Sequence, residues 1–96
     1  MEISEIVIKG DTPGVEWRLP VIRFKGSDAK APKIYIQAAL HANELPGTAL
    51  LHFLCEKLRA ADADGTILSD ITIVPQANPI GTAQSHFGEM QGRFDL

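Results

Sequence analysis

The sequence has one cysteine, no long apolar run and no excess of basic residues, and each shortage excludes a class of protein. Cys55 cannot form a disulfide within the chain, so we expect a reducing, cytoplasmic compartment rather than a disulfide-stapled secreted scaffold. No apolar stretch is long enough to span a bilayer, and the acidic start lacks the basic-then-apolar order of a signal peptide. The net charge of -3 offers no electrostatic basis for nucleic-acid binding. We therefore expect neither a membrane nor a nucleic acid as a partner.

The overall composition is that of one small globular domain. Of the 96 residues, 45% are hydrophobic and 22% are charged. The pattern along the chain predicts an α/β fold with a mixed, largely parallel sheet. We divide it into an antiparallel strand pair with a loop (residues 1–32), a βαβ unit (33–77) and a loop beside the site (78–96).

Two strands are predicted in the first third. Residues 3–9 are rich in β-branched side chains and are followed by turn residues up to Gly14. From Val15 the apolar residues alternate with charged ones, and the alternation changes phase after Pro20. Proline within a strand belongs at an edge or a bulge, and a bulge at Pro20 would produce such a change of phase.

The middle of the chain predicts strand, helix and strand. Residues 33–40 read as a buried strand, residues 43–63 as a helix with Asn43 as its cap, and residues 71–74 as a second strand parallel to the first. A broad apolar stripe on the helix should pack on the sheet. Its members are Leu50, Leu51, Phe53, Leu54, Cys55 and Leu58.

Residues 82–96 have little periodicity and the composition of a loop. The chain stops there with one parallel edge of the predicted sheet uncovered, which predicts an incomplete domain. Such an edge would also permit self-association.

His41 and Glu44 are the candidate metal ligands. They follow directly on the first parallel strand, and open α/β sheets place their sites at the carboxyl ends of strands. A catalytic zinc takes three protein ligands and a water, whose pKa it lowers, and a histidine and a carboxylate from one loop are a natural pair. The alternative interpretation is a loop histidine beside a glutamate that favours the helix dipole.

The turn after the second parallel strand should lie beside His41. It contains Asn78, Pro79 and Gly81, which by themselves indicate only a turn. Arg93 follows, and its guanidinium could stabilise an oxyanion or bind a substrate carboxylate; otherwise it is a solvated arginine.

Three other residues were considered for the site. His86 lies on the same loop and could be offered as a third ligand, but nothing near it fixes a geometry for ligation. We expect no role for His52 on the helix, and Cys55 should be inert packing in the apolar stripe.

Three segments together resemble a known family. His41 to Gly47, HANELPG, resembles the H-G-N-E-x-P-G signature of the succinylglutamate desuccinylase and aspartoacylase family, which belongs with the zinc carboxypeptidases. Residues 74–81, VPQANPIG, resemble the strand and turn that follow in that family, and residues 91–96, QGRFDL, resemble the approach to its Asn-Arg pair. Ala42 stands where a glycine is common.

The resemblance implies a zinc-dependent amide hydrolase. By it, His41 and Glu44 are zinc ligands and Arg93 steadies the oxyanion of the scissile carbonyl while a metal-activated water attacks a carboxylate-bearing amide or peptide. The family's third zinc ligand, general base and Asn-Arg pair are not in these residues. The chain would be the N-terminal half of a deacylase or carboxypeptidase, with an incomplete zinc-carboxypeptidase-like (phosphorylase/hydrolase-like) fold and no turnover by itself.

Two other interpretations stay open. One is a non-catalytic remnant that a partner chain completes through the uncovered sheet edge. The other is an unrelated small α/β binding domain whose motif matches are coincidental. A zinc titration separates the second from the hydrolase, since an unrelated domain would not bind zinc at His41 or Glu44.

Overall fold

The computed structural model describes residues 1–42 and 44–84, and within them four strands form one sheet. The strands lie in the order β1-β2-β4-β3, with β1 antiparallel to β2, β2 antiparallel to β4, and β3 parallel to β4. The elements in chain order are β1 (Glu2–Lys9), β2 (Glu16–Phe24), β3 (Ile34–Gln37), α1 (Leu45–Ala63), β4 (Ile71–Val74) and α2 (Pro79–Gln84).

The βαβ unit and the antiparallel pair are as predicted, but the expectation of a largely parallel sheet is wrong. Among the described strands only β3 and β4 pair in parallel. A parallel pair needs a crossover, and α1 provides the one crossover of that kind in these residues. The β1–β2 hairpin instead joins the βαβ unit by pairing β2 antiparallel to β4, which makes the sheet mixed and mostly antiparallel.

Of the two settings expected for Pro20, an edge or a bulge, the bulge is not found. Pairing of β1 with β2 runs unbroken from Glu2 opposite Arg23 to Lys9 opposite Glu16, with Pro20 opposite Glu5. Proline is tolerated there because β4 pairs only with the end of β2, beyond Pro20.

The change of phase in β2 reflects burial on both faces of the strand. Val21 and Phe24 are each 1% exposed, and their odd spacing places them on opposite faces. Phe24 packs into the core beneath α1, whereas Ile80 of α2 and Trp17 line a common groove and α2 contacts β2. Each helix therefore covers a different face of β2.

The core lies between α1 and one face of the sheet. Cross-strand pairs place Phe24 opposite Ile71 and Ile36 opposite Ile73, so that these side chains share the face on which α1 packs. The buried cluster consists of Phe24, Leu51, Ile67, Ile71 and Ile73.

The apolar stripe of α1 is narrower than predicted. Leu51 is buried, and the residues that follow it at helical spacing, Leu54, Cys55 and Leu58, pack partly against the core. Leu50 and Phe53 are each 68% exposed, because at 3.6 residues per turn they lie away from the face centred on Leu51. Within the described residues, no helix combines the length and apolar character needed to cross a membrane.

Residues 79–84 form a short helix where a loop was predicted. Pro79 occupies the first helical position, where its missing N–H removes no intrahelical bond. The Asn78 side chain accepts a hydrogen bond from the Gly81 N–H at 2.8 Å, as an N-cap residue does. Six residues are too few for helical periodicity to be visible in the sequence.

Candidate functional site

The main chain bends sharply between β3 and His41. The strand ends at Gln37, three residues before the predicted end, and Ala39 adopts a φ of 54° in a buried position. This left-handed conformation disfavours a residue with a Cβ by about 1 kcal/mol or more, so neighbouring contacts must hold it. The bend thus separates the regular strand from the segment that carries the candidate ligands.

His41 and Glu44 lie on one tight turn immediately before α1. The Glu44 N–H donates a hydrogen bond to the His41 carbonyl oxygen at 3.2 Å, and α1 begins at Leu45. His41 is half-buried, whereas Glu44 is exposed. An imidazole nitrogen and a carboxylate oxygen, the donor types that zinc accepts, are therefore presented on a single short turn.

The first turn of α1 is held against the ends of both parallel strands. A Cβ on Gly47 would lie 3.3 Å from the Cβ of Ala38, so the helix start approaches the end of β3 closely. The Thr48 hydroxyl donates to the Pro75 carbonyl oxygen at 3.1 Å, which ties the helix to the segment after β4. Glu44, directly before this helix, is placed by these contacts.

The turn after β4 lies beside the His41 segment, as predicted. The N–H groups of Ala77 and Asn78 donate to the carbonyl oxygens of Ala38 and Ala39 at 2.9 and 3.1 Å. The Asn78 side-chain Nδ2 donates to the Leu40 carbonyl oxygen at 3.0 Å. Asn78 is only 4% exposed, and it is the one buried polar residue among the described positions.

Sequence reasoning underestimated Asn78, which it assigned only to a turn. The local signal was present, since asparagine followed directly by proline is typical of a capped helix start. The contact with Leu40 spans 38 residues and could not be read from local pattern.

Several predicted positions do not add to the described site. Asn43, His86 and Arg93 lie outside the described residues, so their predicted roles stay predictions. Within residues 1–42 and 44–84, no group of three His, Cys, Asp or Glu side chains is placed to hold a metal ion. At this turn the described residues therefore supply two side chains of ligand type, His41 and Glu44.

The two remaining candidates lie on α1. His52 is exposed, and its ring meets that of Phe53 edge-on with centroids 5.4 Å apart. Cys55 is half-buried, and burial raises the pKa of its thiol, which favours the unreactive protonated form.

A groove at the other end of the parallel strands is a surface feature without site chemistry. It is lined by Arg23, Lys33 and Asp70 among others, where β3 and β4 begin rather than end. Asp70 bonds to Lys25 at 3.0 Å and Arg23 to the Ser4 hydroxyl at 2.8 Å, so these charged groups are already paired with neighbours at the surface.

Comparisons with known proteins agree with the geometry. The family model described as the succinylglutamate desuccinylase/aspartoacylase catalytic domain matches residues 30–95. A Shewanella frigidimarina NCIMB 400 protein assigned as a succinylglutamate desuccinylase/aspartoacylase matches at 35% identity and a TM-score of 0.81, over 98% of this chain and 24% of its own.

A second solved structure gives the same result. It is a Shewanella amazonensis SB2B protein assigned to the succinylglutamate desuccinylase/aspartoacylase family, with 38% identity and a TM-score of 0.80. The match covers 99% of this chain and 25% of that one. This chain thus spans about a quarter of the length of the solved structures it matches. No curated protein matches it.

Proposed function

Because the chain belongs to the succinylglutamate desuccinylase/aspartoacylase family, we propose that it provides the metal-ligating turn of a zinc-dependent amide hydrolase. Members of that family are hydrolases. The chain spans a quarter of the matched structures, so catalysis is proposed for an intact protein of which these residues are the N-terminal portion. Turnover by these residues alone is not expected.

The observation that carries the proposal is the turn that joins His41 to Glu44. The Glu44 N–H bond to the His41 carbonyl closes it at the carboxyl end of a parallel strand, where α/β folds place their sites. The donor set fits zinc in chemistry and is short of a third ligand, which we assign to another part of the intact protein. When bound, zinc supplies Lewis-acid polarisation of a carbonyl and lowers the pKa of water.

We propose a substrate with an amide bond and a nearby carboxylate. Arg93 is our candidate for holding that carboxylate or for steadying the oxyanion that develops at the scissile carbonyl, since guanidinium groups bind carboxylates through paired hydrogen bonds. The general base is assigned to the rest of the intact protein. The single cysteine supports a reducing, cytoplasmic location.

The test compares zinc content and hydrolysis in the full-length gene product and its variants. The unaltered protein should hold one zinc per chain and cleave N-acyl amino acids with acidic side chains. His41→Ala and Glu44→Gln should each lose most of the zinc, and hydrolysis should fall by more than about 100-fold, because changes outside the ligand shell already cost 10–100-fold.

Matched controls exist on α1. His52→Ala and Glu56→Gln alter exposed residues of the same types, and both should keep full zinc content. Stoichiometric zinc in His41→Ala would contradict the assignment of this turn as the metal site, whatever the remaining activity.

A second candidate function is a non-catalytic binding module that a partner chain completes. Among the described strands β3 lies at the sheet edge, and its Tyr35 is 60% exposed, so the edge could pair with another chain or a second copy. Stable association with a partner, together with absence of zinc from the unaltered protein, would favour this alternative.

A further inference from the structure

We infer that Asn78 is a positioning residue for the candidate metal site: its side-chain amide fixes the main chain before His41 so that His41 and Glu44 are presented together to one cation. This inference rests on the proposed function, since it assigns Asn78 a task at the same site. Asn78 itself is not proposed as a ligand or as a group that touches substrate.

A row of three carbonyl groups before His41 is held from the β4 side. Ala77 N–H, Asn78 N–H and Asn78 Nδ2 donate in turn to the carbonyl oxygens of Ala38, Ala39 and Leu40, at 2.9, 3.1 and 3.0 Å. The first two bonds bracket the left-handed bend at Ala39. The third reaches the last carbonyl before His41, beyond the point where main-chain donors from the neighbouring segment stop.

Only an amide satisfies both sides of this contact. Asn78 Oδ1 accepts the Gly81 N–H at 2.8 Å, and Nδ2 donates to Leu40. The two partners fix which end of the amide is oxygen and which is nitrogen. Aspartate would keep the bond to Gly81 but would face the Leu40 carbonyl with a second acceptor, in a position only 4% exposed.

The space left by Gly81 fits the same amide. A Cβ on Gly81 would lie 2.5 Å from Asn78 Nδ2 and 2.9 Å from Cγ, too close for any ordinary contact. Gly81 has a helical conformation and lies in α2, so its missing side chain makes room for the amide rather than permitting an unusual φ. The spacing Asn-Pro-x-Gly is explained by this contact.

The experiment measures zinc affinity of the full-length gene product by competition with a chromophoric chelator. Asn78→Asp keeps the helix cap and replaces the donor to Leu40 with a carboxylate oxygen. Asn78→Ser keeps the cap without adding charge, and its hydroxyl, on a shorter side chain, does not reach the Leu40 carbonyl oxygen while it caps. Both should weaken zinc binding by about 10–100-fold, the range typical of groups that orient metal ligands.

Thr82→Val is the matched control. It removes a hydroxyl that donates to the Asn78 carbonyl oxygen at 2.9 Å, so it loosens the same short helix while leaving the Asn78–Leu40 bond in place. Its zinc affinity should stay within twofold of the unaltered protein. Zinc affinity within twofold in a folded Asn78→Ser variant, or an equal loss in Thr82→Val, would overturn the inference.

Hydrogen exchange of the metal-free protein separates this inference from the proposed function. The Ala77 amide, which donates to Ala38, should exchange at least about tenfold faster in Asn78→Ser and should be unchanged in Thr82→Val. If the unaltered protein binds no zinc, the proposed function fails, and faster Ala77 exchange would still show that Asn78 holds this segment. Unchanged exchange would refute the positioning role, even in a protein that binds zinc.

Discussion

Gly26 lies where the segment before β3 crosses the segment that leads into β4, and Gly26→Ala tests how tightly these segments pack. A Cβ there would lie 2.1 Å from the Leu68 carbonyl oxygen and 2.4 Å from the Ser69 carbonyl carbon. Both atoms are main chain, so no side-chain rotation can relieve the clash. Ordinary contact begins at 3.4 Å, and one segment must therefore move by about 1.3 Å.

A movement of that size breaks the hydrogen bonds that join the two segments. Gly26 N–H donates to the Asp70 carboxylate at 3.0 Å, and the N–H groups of Ser27 and Asp28 donate to the Ile67 and Leu68 carbonyls at 3.0 and 3.1 Å. Three bonds at about 1 kcal/mol each predict a loss of about 3 kcal/mol in the free energy of unfolding. The measurement is urea unfolding monitored by far-ultraviolet circular dichroism.

Gly65→Ala is the matched control for this substitution. Gly65 has a φ of +67° and open space around its missing Cβ, so alanine there meets conformational strain of about 1 kcal/mol without a clash. The contact of Gly26 with Leu68 and Ser69 is at the far end of β3 and β4 from His41, so folded Gly26→Ala should bind zinc normally. A loss in Gly26→Ala no larger than in Gly65→Ala would refute the packing argument.

Two further predictions concern stability. The hydrogen bond from Gly26 and, next, that from Lys25 lower the pKa of the Asp70 carboxyl below its ordinary 3.8. The charged carboxylate therefore stabilises the fold at a pH above the ordinary pKa, and this stabilisation is lost as the pH falls through the folded-state pKa. The stability advantage over Asp70→Asn should vanish in acid, and urea midpoints that show the same advantage at every pH would contradict this. Leu51 is 3% exposed and packs α1 on the sheet. Leu51→Ala should lower the free energy of unfolding by about 3 kcal/mol, and Leu51→Met by less than about 1.5 kcal/mol. Equal losses in urea unfolding would show that side-chain volume at this position is not what holds the helix.

The parts of the fold that local pattern controls were predicted well. The β1–β2 hairpin follows from β-branched runs flanking turn residues, and the βαβ unit follows from two short apolar runs around a long amphipathic segment. The order of the strands was harder to predict, because the pairing of β2 with β4 has no signature in the sequence of either strand. That tertiary choice made the sheet mostly antiparallel.

Burial on two faces, rather than a bulge, accounts for the change of phase in β2. A strand with Val21 buried on one side and Phe24 on the other has the same sequence pattern as a strand with a bulge between them. In α1, adjacent leucines differ completely, with Leu51 buried and Leu50 exposed, because only the phase of the helix relative to the sheet decides which one packs.

The position of His41 and Glu44 in the fold was predictable from the sequence, whereas the contacts that hold their segment in place were not. His41 and Glu44 follow an apolar run that reads as a buried strand, and this order along the chain is enough to place them at the strand's carboxyl end. The left-handed Ala39 and the amide contact from Asn78 to Leu40 depend on a neighbour 38 residues away. Such contacts carry no local periodicity, so the sequence pattern does not reveal them.

The bonds from Ala77 and Asn78 to the segment before His41 also determine when this half of the site forms during folding. The bonded segments are separated in sequence by α1, β4 and the short connections around them, so closing this loop requires one βαβ unit to fold and no other part of the sheet. The ligand turn is then ordered by the same cooperative event that pairs β3 with β4. A substitution that unfolds this pairing would therefore also remove the proposed metal site, whereas molecules that stay folded would keep it, wherever the altered residue lies.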